Sequence, residues 1–157
     1  MRVGVGYDAH RFGAGRRLVL GGVEIPYQLG LVGHSDADVV THALIDALLG
    51  ATGLADIGVL FPDSDPAYED AASVELLANV MRQVREWGWR VGNVDVVVVL
   101  EEPRLAEHRQ RMRERLAEAL GTGVENVWVK AKTTEGMGFE GRREGISATA
   151  VCLIAPE

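Results

Sequence analysis

Two short segments near the N-terminus hold the residues best suited to chemistry. They are Tyr7-Asp8-Ala9-His10 and Gly33-His34-Ser35-Asp36-Ala37-Asp38, the second leading to His42. Asp8, His10 and His42 supply one carboxylate and two imidazoles, the donor set of a catalytic zinc that keeps one coordination position open. Arg2 to Tyr7 reads as a strand with Val3, Val5 and Tyr7 on one face. Residues two apart on a strand point to the same side, so Asp8 and His10 can converge on one ion. His42 falls on a helix predicted from Asp36 to Ala51, with Asp46 one turn further on, placed to hold the second nitrogen of His42. Taken singly, either histidine also reads as an ordinary polar residue at the end of an element.

His34 and Ser35 stand just before that helix, where unpaired backbone N–H groups and the helix dipole favour an anion. Ser35 reads equally as the N-cap, with Asp38 as a carboxylate in the first turn. A third cluster, Lys130-Ala131-Lys132-Thr133-Thr134-Glu135, leaves a strand for Gly136-Met137-Gly138. Its ammonium and hydroxyl groups suit phosphate oxygens, and Glu135 suits a hard cation such as Mg²⁺. A plain polar exit from a strand is the alternative. The 19 glycines form neither a Walker A loop nor a dinucleotide fingerprint, because Gly4 and Gly6 lie inside the first strand.

The elements that must position these groups follow from periodicity. Strands are predicted over 2–8, 17–25, 91–101, 127–131 and 146–154, and helices over 36–51, 71–87 and 105–120. Val96 to Leu100 lacks alternation, which predicts a strand covered on both faces. Residues 52–67, rich in Gly, Asp and Pro, read as a long loop of the kind that usually serves function. The order β-β-α-α-β-α-β-β predicts an α/β (α+β) two-layer sandwich, a mixed four- to five-stranded sheet with helices on one face.

At 157 residues and 47% hydrophobic content the chain is expected to form one domain, 1–157, with a substantial core. A net charge of −7 argues against a nucleic-acid binder that works by neutralising phosphates. Cys152 is the only cysteine, so no intrachain disulfide is possible, and its apolar neighbours predict a buried, inert thiol. No apolar stretch is long enough to span a bilayer and the N-terminus has no targeting composition, so a cytoplasmic location is expected. Apart from Lys130 and Lys132, every cationic residue is arginine, a bias that a GC-rich genome or a hot habitat would equally produce.

Taken in order, six blocks closely resemble the 2-C-methyl-D-erythritol 2,4-cyclodiphosphate synthases, in register over essentially the whole chain. They are Gly6-Tyr7-Asp8-Ala9-His10-Arg11-Phe12, Gly33 to Asp38, Asp56-Ile57-Gly58, Phe61-Pro62-Asp63, Lys130 to Glu135 and Gly138-Phe139-Glu140-Gly141-Arg142. The chain looks like the stand-alone synthase rather than a fusion. The resemblance implies a lyase of the non-mevalonate (methylerythritol phosphate) route to isoprenoid precursors. Its substrate would be 4-diphosphocytidyl-2-C-methyl-D-erythritol 2-phosphate, whose 2-phosphate attacks the β-phosphorus so that CMP leaves and a cyclic diphosphate forms.

The same resemblance implies site roles. One zinc per chain would sit on Asp8, His10 and His42, and Mg²⁺ or Mn²⁺ on Glu135. His34 and Thr133 match transition-state residues, Asp56 would hold the erythritol hydroxyls, and the loop carrying Ile57, Gly58, Phe61, Pro62, Asp63 and Asp65 would close over the substrate beside Ser35. Leu100, Pro103, Arg104 and Leu105 match a cytidine pocket, with Lys132, Thr133, Thr134 and Glu135 near the phosphates. The family is homotrimeric, with active sites at subunit boundaries. Phe139, Arg142 and Glu144 match the lining of a central cavity for isoprenoid diphosphates, and an inter-subunit Arg142–Glu144 ion pair is the alternative there. Arg104 and Lys132 depart from the lysine and the small hydroxyl residue of many relatives. Two rivals stay open: a metal-dependent phosphohydrolase, disfavoured by the sparse carboxylates, and a non-catalytic trimeric isoprenoid-diphosphate binding protein, disfavoured by the intact Asp8/His10/His42 set.

Overall fold

The computed structural model describes residues 1–62 and 64–157, so Asp63, expected to contact substrate, lies outside the described residues. The chain runs β1 (Arg2–Gly13), β2 (Leu18–Leu20), β3 (Val23–Ile25), β4 (Gly30–Leu31), α1 (Val39–Thr52), the one-turn α2 (Ile57–Leu60) and α3 (Ser73–Glu86). It continues through β5 (Trp89–Val99), α4 (Arg109–Leu120), β6 (Val127–Lys132), α5 (Gly138–Gly141) and β7 (Gly145–Pro156). Five strands form a mixed sheet in the order β4-β1-β7-β5-β6, with β5 and β6 parallel and the other neighbours antiparallel. The expected mixed sheet with packed helices is present.

Helix α1 packs against β1 and β7, α3 against β5, and α4 against β6. The closest approach is set by glycine. A Cβ on Gly4 would lie 1.8 Å from the Ala47 carbonyl oxygen, and one on Gly6 would lie 2.0 Å from that of Ala43. Only a strand without side chains at these positions lets the helix backbone come so near. Asp8 and His10 continue the Gly4/Gly6 face by the two-residue period of the strand, so both project towards α1, which carries His42.

Several boundaries differ from the sequence reading. The strand expected over 17–25 is a hairpin, β2 and β3, turned by Gly21 and Gly22 with φ of 58° and 72°. Two successive positive φ values suit a tight hairpin turn and favour glycine at both positions. Helix α1 begins at Val39, and its N-cap is Asp38, whose carboxylate accepts from Thr41 N; Ser35 is not the cap. Ala37 at φ 56° interrupts helical geometry between the two. The same Asp38 carboxylate accepts from Gly21 N at 2.8 Å and Gly22 N at 2.7 Å, tying the hairpin to the helix start. Strand β4 pairs only two residues with β1 and carries no sequence pattern of its own. The loop expected over 52–67 contains α2 and a 3₁₀ turn, Pro66–Tyr68.

The second face of the sheet is open in the single chain, against the expectation that Val96 to Leu100 is covered on both sides. Val94, Val96 and Val98 are buried, whereas Asp95, Val97 and Val99 are half-buried. On the same open side Val3, Val5 and Tyr7 are 67%, 66% and 58% exposed. Within the chain, this apolar strand face has no cover.

Candidate active site

Asp8 and His10 project from the second half of β1 and meet His42 from the first turn of α1. Asp8 Oδ2 lies 2.9 Å from His10 Nε2 and 3.1 Å from His42 Nδ1, and the two nitrogens are 3.2 Å apart. Ligands about 2.0–2.1 Å from a tetrahedral ion stand about 3.3 Å from one another, so the near-equilateral triangle fits a divalent metal with small adjustment. The side chains are only 26%, 19% and 13% exposed for Asp8, His10 and His42, so the triangle is sheltered yet reachable. Burial pushes the Asp8 carboxyl up, but His10 and His42, when each carries a proton on both ring nitrogens, donate to it and bring positive charge, which outweighs burial and holds the group well below the usual carboxylate range. Among the described residues this is the one cluster of three such groups with ligand atoms all within 4.8 Å.

The outer nitrogens are engaged. His10 Nδ1 is 2.8 Å from the Val32 carbonyl oxygen, which can only accept, so His10 carries its proton there and turns the Nε2 lone pair inward. His42 Nε2 meets Ser73 Oγ at 2.8 Å and Ser35 Oγ at 3.1 Å. Asp46, which helical spacing offers for that role, instead accepts from Ile57 N at 2.9 Å and so anchors α2. Burial raises the Asp46 carboxyl pKa, against the lowering effect of that N–H. Ser73 lies 31 residues from His42, and no local period reveals such a partner.

Around the triangle is a cleft of about 280 Å³, lined by Asp8, His10, His34, Ser35, His42, Asp46, Ile57, Gly58 and Phe61 among the expected residues, and also by Tyr68 and Leu76. His34 Nε2 lies 3.0 Å from the Asp65 carbonyl oxygen, so the loop is tied to the cleft floor. Phe61 packs edge-on against Tyr68 with centroids 5.2 Å apart. Asp56 caps α2, its Oδ1 accepting from Val59 N at 3.1 Å. It lines a shallower recess with Tyr7 and Asp46, while Pro62 lies between Phe61 and the undescribed Asp63.

A second cleft, about 380 Å³, gathers Leu100, Pro103, Arg104, Leu105, Lys132 and Thr133, with Arg109 added. Glu101 organises its rim: Oε1 accepts from Thr134 N at 3.0 Å and from Gly136 N at 3.3 Å. These contacts shape the turn that presents Glu135, itself at φ 56°. Glu101 lies in the 100–105 stretch that the family resemblance matches to the cytidine pocket, but its hold on the 134–136 turn is new, since only the folded turn brings residues 101 and 134 together. Lys130, in contrast, pairs with Asp95 and is committed to the sheet face. Phe139 lies on α5, and Arg142 follows it with Nε 2.7 Å from Glu144 Oε1, so that ion pair is formed within one chain.

Strand register relates the two clefts. Ala9, Ser147, Val99 and Lys132 form one row across β1, β7, β5 and β6. Three inter-strand steps of about 4.8 Å separate the ends of that row by roughly 14 Å. Residues in one row share a face, so Lys132 projects on the open side, whereas Asp8 and His10 project towards α1.

Residues 1–155 match the YgbB family. The chain belongs to the YgbB family. It is 60% identical over 154 residues to a 2-C-methyl-D-erythritol 2,4-cyclodiphosphate synthase of Syntrophomonas wolfei subsp. wolfei, covering 98% of each chain. The bifunctional IspDF of Campylobacter jejuni superposes with a TM-score of 0.96 at 42% identity, over 99% of this chain and 42% of that one. An IspF of Plasmodium falciparum, solved as a CDP complex, superposes at 0.87 with 31% identity, over 99% and 96%. In this YgbB-family chain no helix, among the described residues, is long and apolar enough to cross a membrane.

Proposed function

We propose that this chain cyclises 4-diphosphocytidyl-2-C-methyl-D-erythritol 2-phosphate to 2-C-methyl-D-erythritol 2,4-cyclodiphosphate with release of CMP. It acts in the cytoplasm as one domain, 1–157, within a homotrimer. The observation that carries the reading is the Asp8/His10/His42 triangle at the base of a cleft, in a chain 60% identical over its length to a relative named for this reaction.

An oxygen of the 2-phosphate bonds to the β-phosphorus, and the bond from that phosphorus to the oxygen bridging the α-phosphate breaks. CMP takes the electron pair of that bond, and no water is consumed. The substrate carries its own nucleophile, so the protein must fold it back and stabilise charge. Zinc on Asp8, His10 and His42, with Mg²⁺ or Mn²⁺ on Glu135, would supply Lewis-acid neutralisation of the diphosphate oxygens. His34, beside the metal cleft, and Thr133, in the second cleft, face the phosphates and stabilise the charge that develops as the β-phosphorus reacts. Ser35 and the Ile57–Gly58 backbone border the erythritol phosphate, Phe61 and Pro62 exclude water, and Asp56 takes the erythritol hydroxyls. Leu100, Pro103 and Leu105 enclose the cytosine, while Arg104, Lys132 and Thr134 face the nucleotide phosphate.

The homotrimer is supported by the exposed Val3, Val5 and Tyr7 face and by the separation of the strand row that links the two clefts, roughly 14 Å from Ala9 to Lys132. A neighbouring chain's nucleotide cleft, brought up against the open face, completes the site. A diphosphate in the central cavity would meet Phe139 and compete for Arg142 with Glu144. The test is elemental analysis of dialysed protein together with CMP release from the diphosphocytidyl substrate. One zinc per chain and metal-dependent CMP release are expected, both lost in His42→Ala. A folded wild type that binds no zinc and releases no CMP refutes the assignment.

A further inference from the structure

Behind His42, on the side away from Asp8, the hydrogen-bond chain continues into residues that no substrate or metal role has absorbed. His42 Nε2 lies 2.8 Å from Ser73 Oγ, and Ser73 Oγ makes a short contact with Asp36 Oδ1. The Asp36 carboxylate also accepts Ser73 N at 3.1 Å through Oδ2 and Asp38 N at 3.1 Å through Oδ1. Asp36 is fixed in turn by its own backbone N–H, donated to the Ala71 carbonyl at 3.1 Å. Ser73 is fully buried at the start of α3 and Ser35 nearly so.

Proton accounting along this chain has one consistent solution. A carboxylate oxygen accepts and does not donate, so the contact between Ser73 Oγ and Asp36 Oδ1 requires the serine proton to point at Asp36. Ser73 Oγ then presents only lone pairs to His42, and the atom facing it at 2.8 Å must be an N–H. His42 therefore carries its proton on Nε2 and turns the Nδ1 lone pair at Asp8 and His10. Ser35 fits the same count: its Oγ accepts Ala37 N at 3.2 Å, and its proton has Ser73 Oγ at 3.3 Å. The opposite tautomer would aim the Ser73 proton at His42 and leave two oxygen acceptors facing across the short Ser73–Asp36 contact.

We propose that Ser73, oriented by Asp36, is a positioning residue for the metal centre: it fixes the His42 tautomer and ring orientation that present Nδ1 as a ligand. This rests on the metal-site reading above and adds two residues to it. It also joins the centre on α1 to the first turn of α3 and to the 70–73 stretch that follows the cleft loop. Removing such an outer partner characteristically lowers metal affinity about 10- to 100-fold.

The experiment combines long-range ¹H–¹⁵N NMR of the histidines in zinc-free wild type at pH 8 with zinc affinity by chelator competition for wild type, Ser73→Ala and Asp36→Asn. Expected are an Nε2–H tautomer for His42, a loss of about 10- to 100-fold in zinc affinity in Ser73→Ala with a mixed tautomer, and a smaller loss in Asp36→Asn. An Nδ1–H tautomer in the wild type overturns the proposal whether or not the variants fold. Zinc affinity in Ser73→Ala equal to wild type overturns it while leaving the metal site standing. A wild type that binds no zinc overturns both.

Discussion

Substituting Gly6 by alanine tests how the fold delivers the ligands. The new Cβ would sit 2.0 Å from the Ala43 carbonyl oxygen and 2.7 Å from Ala47 N, both backbone atoms of α1. An ordinary contact needs about 3.4 Å, so strand and helix must part by roughly 1.4 Å. Ala43 adjoins His42, and a metal site tolerates ligand errors of only about 0.2 Å, so the substitution breaks the triangle as well as straining the core. Overpacking of this kind costs about 1–3 kcal/mol. In an unobstructed strand the same change would gain roughly 0.5–1 kcal/mol, so even the sign is informative. A drop of about 1–3 kcal/mol corresponds to roughly 2–12 °C in Tm for a chain of this size. Thermal melts of zinc-free protein and zinc titration of the same samples read both effects. A Gly6→Ala protein that melts at or above wild type and binds zinc equally well would refute the close-approach explanation.

Other perturbations separate the remaining parts. Glu101→Ala removes the acceptor for Thr134 N and Gly136 N, so CDP affinity should fall roughly 10- to 100-fold by calorimetry while zinc content stays at wild type. Val5→Glu places a charge on the open sheet face and should convert the proposed trimer to monomer in sedimentation; an unchanged trimer would mean that another surface holds the subunits. Burial pushes the Cys152 thiol up to about 11, so at pH 8 only about one molecule in a thousand carries the thiolate, and native protein should resist Ellman's reagent until unfolded. The stability that this raised pKa confers is complete below the ordinary thiol value of about 8.5 and is lost as pH rises towards about 11.

The metal triangle was legible because its residues are chemically specific and their spacing obeys the strand period, with His42 on an adjacent helix. The grouping of Leu100, Pro103, Arg104 and Leu105 with Lys132 and Thr133 was legible only through family resemblance, since parallel pairing of β5 and β6 makes it. The start of α1 was misplaced because an L-residue at positive φ, Ala37, is invisible to helix-cap patterns, and Asp38 and Ser35 are both good caps by type. Asp46 is what helical spacing offers to His42, one turn away, whereas Ser73 arrives from another helix and leaves no local signal. Gly21-Gly22 carried a turn signal that a run of apolar neighbours hid. The open sheet face reads in sequence as a buried strand because an unbroken run of valines carries the same pattern whether or not its second face is covered within the chain.

The central claim is that the substrate's own phosphate, and not water, attacks the β-phosphorus. ³¹P NMR of the products formed from 4-diphosphocytidyl-2-C-methyl-D-erythritol 2-phosphate with Zn²⁺ and Mg²⁺ present distinguishes the two. Cyclisation gives CMP and a pair of mutually coupled diphosphate resonances from a single P–O–P linkage. CMP accompanied by two uncoupled phosphomonoester resonances would mean hydrolysis, and would contradict the account.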